Sequence, residues 1–325
     1  MKKSISGFSK MSKRKKLSWI VENFFKNPEN VMRELMSYWH PNEEQQRVLD
    51  GFSENTISNY VLPFGVAPNF VINEKTYVLP MVIEESSVVA AASSAAKFWM
   101  TRGGFKAKVI ATKKVGQVHF SWSGNVEKLS SVFEELNAQL RLDVSHITAN
   151  MENRGGGILD ISLLDMTHLE DDYFQLKVNF ETCDSMGANF INSVLEEFGR
   201  SLKNFVNTND SFVEEEKELT VIMAILSNYT PECLVRAEVS CAVEDFFHEN
   251  GPHYAKKFVQ AVAIANVEPY RAVTHNKGIM NGIDAVVLAT GNDFRAVAAG
   301  AHAYASRTGT YKSLTNAKIE NGKFH

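Results

Sequence analysis

The chain of 325 residues is poor in cysteine, with only Cys183, Cys233 and Cys241. An odd number without Cys-x-x-Cys spacing excludes a disulfide framework, and a reducing, cytoplasmic setting fits best. No apolar run approaches the ~20 residues needed to cross a bilayer, so no membrane partner is expected. The basic amino-terminal run (Lys2, Lys3, Lys10, Lys13, Arg14, Lys15, Lys16) lacks a following apolar region with a small-residue cleavage site. Positive charge is not in excess either. With 34 Lys and Arg against 38 Asp and Glu the net charge is −4, which argues against a dedicated nucleic-acid binder. The nine histidines form no His-x-x-x-His pair and no Cys/His cluster, so no metal is expected. A Gly-x-Ser-x-Gly elbow and a Gly-x-Gly-x-x-Gly loop are both missing, which weakens the serine-hydrolase and Rossmann readings.

What remains is an ordinary globular composition, 44% apolar and 10% aromatic, long enough for roughly two domains. Residues 12–55 have helical texture: Ser12 can cap the first helix, and Asn42-Glu43-Glu44 puts acids at a helix start, where the macrodipole favours them. Residues 60–72 and 77–83 read as strands joined by a turn at Asn73-Glu74-Lys75. The alanine-rich stretch 87–100 reads as a helix. Next come strands at 107–111 and 117–122, a helix at 126–142, strands at 157–164 and 175–182, and a helix at 187–206. This order predicts a compact α+β subdomain set between residues near 110 and 220. Strands at 219–226 and 233–242, a helix at 254–267 and an Ala/Gly/Val-rich end follow.

Four places carry candidate chemistry. Glu84 and Glu85 lie between a strand and a helix that Ser86 or Ser87 can cap. Extended neighbours face opposite ways, so at most one enters a shared pocket, and both acids simply favouring a helix start is the plainer alternative. Lys277 lies in the polar cluster Thr274-His-Asn-Lys-Gly-Ile-Met-Asn281, read as leading into an apolar helix. On one unbroken helix, 277 to 293 would span about 24 Å. A break at Gly291, with Asn292 or Asp293 capping a new helix, would let Lys277 and Asp293 approach. The pair would polarise a carbonyl; a surface lysine and a plain cap are the alternative. Cys183-Asp184-Ser-Met-Gly-Ala-Asn189 ends a strand and opens a helix, where amides can meet a nucleotide phosphate. Its plainer alternative has Asp184 as the cap and Met186 in the core. His275 and His302, near the Lys277 and Asp293 site, read as structural.

Taken in order, these segments resemble a class II (bacterial-type) 3-hydroxy-3-methylglutaryl-coenzyme A reductase from about Ser6 to the last residue. The motifs that carry the resemblance are Glu54-Asn-Thr-Ile-Ser58 with Leu62-Pro-Phe-Gly-Val66, Pro80-Met-Val-Ile-Glu-Glu-Ser-Ser-Val-Val-Ala-Ala-Ala-Ser93 and Asp184-Ser-Met-Gly-Ala-Asn189. Further along come Thr274-His-Asn-Lys-Gly-Ile-Met-Asn-Gly282, Ala289-Thr-Gly-Asn-Asp293 and Ala301-His-Ala-Tyr-Ala-Ser306. Ser86 and Ser185 replace a proline and an alanine of the family pattern.

The resemblance implies an α+β fold: a large helical-plus-sheet substrate domain (residues 1–110 and 219–325) with an inserted small, ferredoxin-like, non-Rossmann NAD(P)-binding domain (residues 111–218). It implies Glu85 as the catalytic acid, Lys277 as the cation beside the reacting carbonyl and Asp293 as the carboxylate linking them. Ser87, Asn228, Arg271 and Asn281 fall where the family holds hydroxymethylglutaryl-CoA. Asp184, Met186, Gly187, Ala188 and Asn189 fall where the nicotinamide cofactor binds. The implied reaction converts hydroxymethylglutaryl-CoA to mevalonate and CoA with two NADPH or NADH, or runs in reverse. To donate, Glu85 must hold a proton, which burial and the charge of Asp293 would favour. The region His146-Ile-Thr-Ala-Asn150 has no acid for a free ribose hydroxyl, which leans toward NADPH. A homodimer or larger assembly is implied, with each active site at the subunit interface. Members run on to a flap carrying a histidine that protonates the leaving thiolate, and Gly322-Lys-Phe-His325 does not match it. The competing expectation is a flap-less relative that binds the thioester and dimerises with little turnover; reduction of another acyl-CoA is a third.

Overall fold

A computed structural model describes residues 4–246 and 250–325; Lys2 and Lys3 of the basic run lie outside the described residues. The chain forms two compact units, Met1–Phe64 with Val82–Glu84, and Gly65–Met81 with Glu85–His325.

In the first unit three helices follow one another: α1 (Lys13–Phe24), α2 (Pro28–Ser37) and α3 (Glu43–Asp50). The Ser12 hydroxyl accepts from the Lys15 N–H at 3.4 Å, so the expected cap is formed, and the Asn42 side chain caps α3 by accepting from Glu44 and Gln45 at 3.0 Å. Lys13 donates to Asp50 at 2.6 Å with its ammonium 4.5 Å from the Trp39 ring, which ties α1 to α3.

A hairpin follows, β1 (Phe64–Ile72) and β2 (Lys75–Val82), of which Gly65–Met81 belong to the second unit. Its turn residues Asn73 (φ 48°) and Glu74 (φ 68°) are both left-handed, as a two-residue hairpin loop with primed-turn twist requires. Helix α4 (Val88–Met100) follows, then β3 (Lys106–Thr112) and β4 (Lys114–Trp122), with Lys113 alone between them. Helices α5 (Val126–Ser131), α6 (Phe133–Asp143) and α7 (Ser145–Glu152) come next. The expected single helix over 126–142 is thus divided at Val132 (ψ 8°), and α7 is an addition to the expectation. Strands β5 (Gly157–Asp165) and β6 (Tyr173–Glu181), helix α8 (Ala188–Thr208) and strand β7 (Leu219–Ser227) complete the subdomain.

Its four strands lie in the order β5-β6-β4-β7, every pairing antiparallel. With helices after the first and third strands, this is the β-α-β-β-α-β arrangement of a ferredoxin-like sheet. The sheet is completed by β7, which begins at Leu219. Alternation of the strands turns Val118, Phe120 and Trp122 of β4 and Phe174, Leu176, Val178 and Phe180 of β6 to one face. The buried stripe of α8 covers that face with Ile191, Val194, Leu195, Phe198, Leu202 and Phe205, at helical spacing.

After β7 the chain leaves this sheet. Strand β8 (Cys233–Glu238) pairs with β3, and β9 (Cys241–Ala242) joins a small sheet with β10 (Ile319–Glu320) and β11 (Lys323–Phe324). Between them run α9 (Gly251–Val267), α10 (Pro269–Ala289) and α11 (Phe294–Ala305). Among the described residues no helix is long and apolar enough to cross a membrane.

Candidate active site

Helix α10 carries three of the seven expected substrate-side and catalytic residues, Arg271, Lys277 and Asn281. It starts earlier than its polar sequence suggests. Glu268 caps it by accepting from Tyr270 (3.0 Å) and Arg271 (2.7 Å), and Pro269 stands in the first turn, where its missing N–H costs nothing. Thr274 through Asn281 are therefore helix interior, a correction to the expectation that they precede the helix. Buried Asn276 fixes the helix to the segment beyond α11, donating to the Lys312 carbonyl and accepting from the Leu314 N–H, both at 2.9 Å. His275 adds a 2.7 Å contact to Thr315; burial, then the Arg271 charge, lowers the pKa of this imidazole.

Lys277 and Asn281 are one helical turn apart on the same face. Both reach Glu85: the Lys277 ammonium donates to its Oε2 at 2.7 Å and the Asn281 amide at 3.3 Å. Glu85 lies just ahead of α4, next to Ser87, the cap position of that helix. Ser87 is left-handed (φ 73°) and its side chain makes no cap hydrogen bond, so the expected capping role is not taken up. The pair is open to solvent, with the Lys277 side chain 61% and the Glu85 side chain 46% exposed. The burial expected around Glu85 does not exist in the single chain.

Asp293 is used differently. A break at Gly291 (φ 70°) ends α10, and the Asp293 carboxylate caps α11, accepting from Arg295 and Ala296 at 3.1 Å. The Ala296 N–H, with the Arg295 guanidinium beside it, holds this carboxyl below the usual aspartate range. Among the described residues no hydrogen bond or ion pair joins Asp293 to Lys277 or Glu85. Nor does one join Arg271 or Asn228 to that pair. Arg271 is exposed in the first turn of α10, and Asn228 sits where β7 ends. A Cβ on Gly300 of α11 would come within 2.8 Å of the Asn228 carbonyl oxygen, so that glycine permits close packing there.

Asp284 is a group that sequence reading overlooked. It follows Asn281 by three residues and Lys277 by seven, on the same side of α10. Its Oδ1 is buried without a hydrogen-bond partner, and burial pushes the carboxyl pKa up, partly offset by His302. His302 in turn meets the Tyr311 hydroxyl at 2.7 Å. Helical spacing from Lys277 was the available signal.

Asp184 to Gly187 form a tight loop ahead of α8, and Ala188 and Asn189 are the first two residues of that helix. Neither of the plainer expectations holds: Gly187, not Asp184, occupies the cap position, and Met186 is 57% exposed rather than in the core. Gly187 is left-handed (φ 76°), and a Cβ there would meet Thr182 Cγ2 at 2.4 Å, so only glycine fits. No side chain caps α8, which leaves its first-turn N–H groups available to an anion. The Cys183 thiol donates to the Arg154 carbonyl at 3.2 Å, setting the loop against the turn that follows α7. That helix contains His146 through Asn150. Among the described residues no group of three His, Cys, Asp or Glu side chains is placed to hold a metal ion.

Comparison with known proteins supplies the context for this geometry. The family described as "Hydroxymethylglutaryl-coenzyme A reductase" matches residues 14–325. The 3-hydroxy-3-methylglutaryl-coenzyme A reductase of Archaeoglobus fulgidus is 34% identical, over 98% of this chain and 69% of its own length. A probable 3-hydroxy-3-methylglutaryl-coenzyme A reductase of Borreliella burgdorferi is 31% identical, over 96% of this chain and 69% of its own. Among solved structures, the class II enzyme from Streptococcus pneumoniae, bound to NADPH in open conformations, superposes with a TM-score of 0.74. It is 33% identical and covers 92% of this chain and 72% of that one.

Proposed function

The chain belongs to the hydroxymethylglutaryl-coenzyme A reductase family, and from that premise we propose that it reduces (S)-3-hydroxy-3-methylglutaryl-CoA to mevalonate and CoA, or runs the reverse reaction. The observation that carries the reading is the Glu85–Lys277 pair, with Asn281 on the same carboxylate oxygen, built from two separate family motifs.

Reducing a thioester to an alcohol adds hydride twice to the same carbon, and each addition leaves negative charge on oxygen. Lys277 is the fixed cation for that charge, and it acts most strongly when water is excluded. Glu85, hydrogen-bonded to Lys277, is the acid that delivers a proton to the oxygen. Asp293, at the mouth of α11, is the second carboxylate of the site. Ser87, Asn228, Arg271 and Asn281 hold the hydroxymethylglutaryl group and coenzyme A.

The Asp184–Asn189 loop is the proposed cofactor site, with Asp184, Met186, Gly187, Ala188 and Asn189 lining it. The tight turn at Gly187 and the uncapped start of α8 suit a dinucleotide phosphate. Bound there, the nicotinamide supplies the hydride, two per mevalonate formed. Absence of an acid from 146 to 150 favours NADPH over NADH. In this reading the ferredoxin-like unit is the small cofactor domain, inserted into the large domain formed by the rest of the chain.

The solvent-open charged pair is the argument for a homodimer. Val267 (80% exposed) and Tyr270 (87% exposed) flank the start of the same helix that carries Lys277. Large apolar groups of this kind beside a polar centre mark a surface that another subunit covers, which would also exclude water from the pair.

Oxidation of NADPH and NADH, followed with hydroxymethylglutaryl-CoA and with a plain acyl-CoA, tests the proposal. Turnover confined to the first thioester is expected; equal rates would contradict it.

A further inference from the structure

Two chain crossings connect the ferredoxin-like sheet to the β3–β8 sheet. One is Lys113, alone between β3 and β4; the other is the stretch from 228 to 232, between β7 and β8. The crossings are tied to each other, since the Lys113 ammonium meets Glu232 at 2.7 Å. The end of β6 is tied to them as well. The Thr112 hydroxyl, at the last position of β3, donates to Oε2 of Glu181, the last residue of β6. The other oxygen of that carboxylate accepts the Cys183 N–H at 2.8 Å. Lys114, first in β4, donates from its ammonium to the Thr182 hydroxyl at 2.9 Å.

Those same contacts define the loop that follows. Cys183 is left-handed (φ 51°), an unfavourable conformation for a residue with a side chain, and its N–H is held by Glu181. Fully buried Thr182 donates to the Ser185 carbonyl at 2.7 Å, and its methyl group is what Gly187 packs against. The Glu181 carboxyl is held below the usual glutamate range, first by the Thr112 hydroxyl and then by the Cys183 N–H and the nearby Lys114 charge. It is therefore an ionised acceptor, and hydrogen bonds to ionised acceptors are the strong ones.

We propose that Glu181 is a positioning residue for the dinucleotide: one carboxylate clasps the loop from Thr182 to Gly187 to the β3–β4 crossing, so the cofactor site is held in register with the β3–β8 sheet. This rests on the reading of Asp184–Asn189 as the cofactor loop. Glu181 itself touches no reacting atom. Its part is to keep Cys183 left-handed and the amides ahead of α8 aimed outward. Removing the clasp leaves the thioester side untouched and lets the loop relax.

The test measures Kd for NADPH and for hydroxymethylglutaryl-CoA separately, by calorimetry or fluorescence on the full chain. Thr112→Val removes the donor at constant shape, and Thr112→Ser retains it; Glu181→Gln removes the charge. NADPH Kd is expected to rise about tenfold in Thr112→Val and Glu181→Gln, the effect of one hydrogen bond to a charged acceptor. Thr112→Ser should stay within about twofold of the parent, a rescue that general loosening of the fold would not give. Hydroxymethylglutaryl-CoA Kd should not change in any of the three, which also reports that they fold. Asn189→Ala serves as the control for the loop reading. If it weakens NADPH while Thr112→Val and Glu181→Gln do not, the clasp is wrong and the loop reading stands. If Asn189→Ala leaves NADPH binding unchanged, the cofactor lies elsewhere, and the clasp falls with the loop reading whatever Thr112→Val shows.

Discussion

The two candidate halves of the site are built on opposite terms. The cofactor loop hangs from a closed sheet, with its core sealed by α8, and each of its turns is braced by the chain itself through Glu181, Thr182 and Gly187. The Glu85–Lys277 pair has the reverse character: a single ionic contact between side chains that remain about half in water, with the expected third member, Asp293, occupied at a helix cap. Exposed ion pairs contribute little to stability, so this contact does not hold the fold together. On the proposed reading, then, cofactor recognition would be a property of one chain, whereas the reacting centre would need something further to cover it.

The largest effect is expected in the core under α8. Phe198→Ala, in the buried stripe of α8, should cost about 3–5 kcal/mol and abolish NADPH binding with the fold of that unit, measurable by thermal unfolding. The open side should respond in rate instead. Lys277→Met is expected to lower kcat by roughly 10²–10³-fold while leaving the melting temperature and NADPH Kd near the parent values, since what it removes is charge stabilisation in the transition state. A fall in melting temperature as large as that of Phe198→Ala would show that the pair is structural.

The smallest effect expected is at Asp284. A carboxyl raised by burial stabilises the fold while protonated, and that stability is lost as pH rises through its elevated folded-state pKa. Asp284→Asn cannot ionise, so it should melt roughly 1–3 °C above the parent at pH 8 and show no gain below the ordinary aspartate range. An equal gain at both pH values would contradict the assignment of the effect to ionisation.

Much of this was legible in the residues, and the failures have identifiable causes. Gly291 and Asp293 announced the break between α10 and α11 because a left-handed glycine followed by an Asx cap has few other uses. Alternation in β4 and β6 and the apolar stripe of α8 gave the subdomain its elements and its layers. The true start of α10 was missed because Thr274, His275 and Asn276 look like loop, although Glu268-Pro269 was the start signal. Asn276 is buried there only because it satisfies the Lys312 and Leu314 backbone groups, a tertiary fact without local trace. Helix α7 was missed because its short polar sequence has little apolar periodicity. Spacing could not bring Glu85 to Lys277, which lies 192 residues away; family resemblance pointed to that pair. That Asp293 stands apart from it as a helix cap is the plainer alternative that the residues themselves offered.

The most direct test of the central claim is sedimentation velocity and specific activity measured on the same dilution series, with NADPH Kd determined at each end. One chain suffices for the cofactor half, so NADPH Kd should stay constant across the series. Turnover per chain should fall in step with the fraction of assembled dimer. Specific activity that remains constant after the assembly has dissociated would contradict the account.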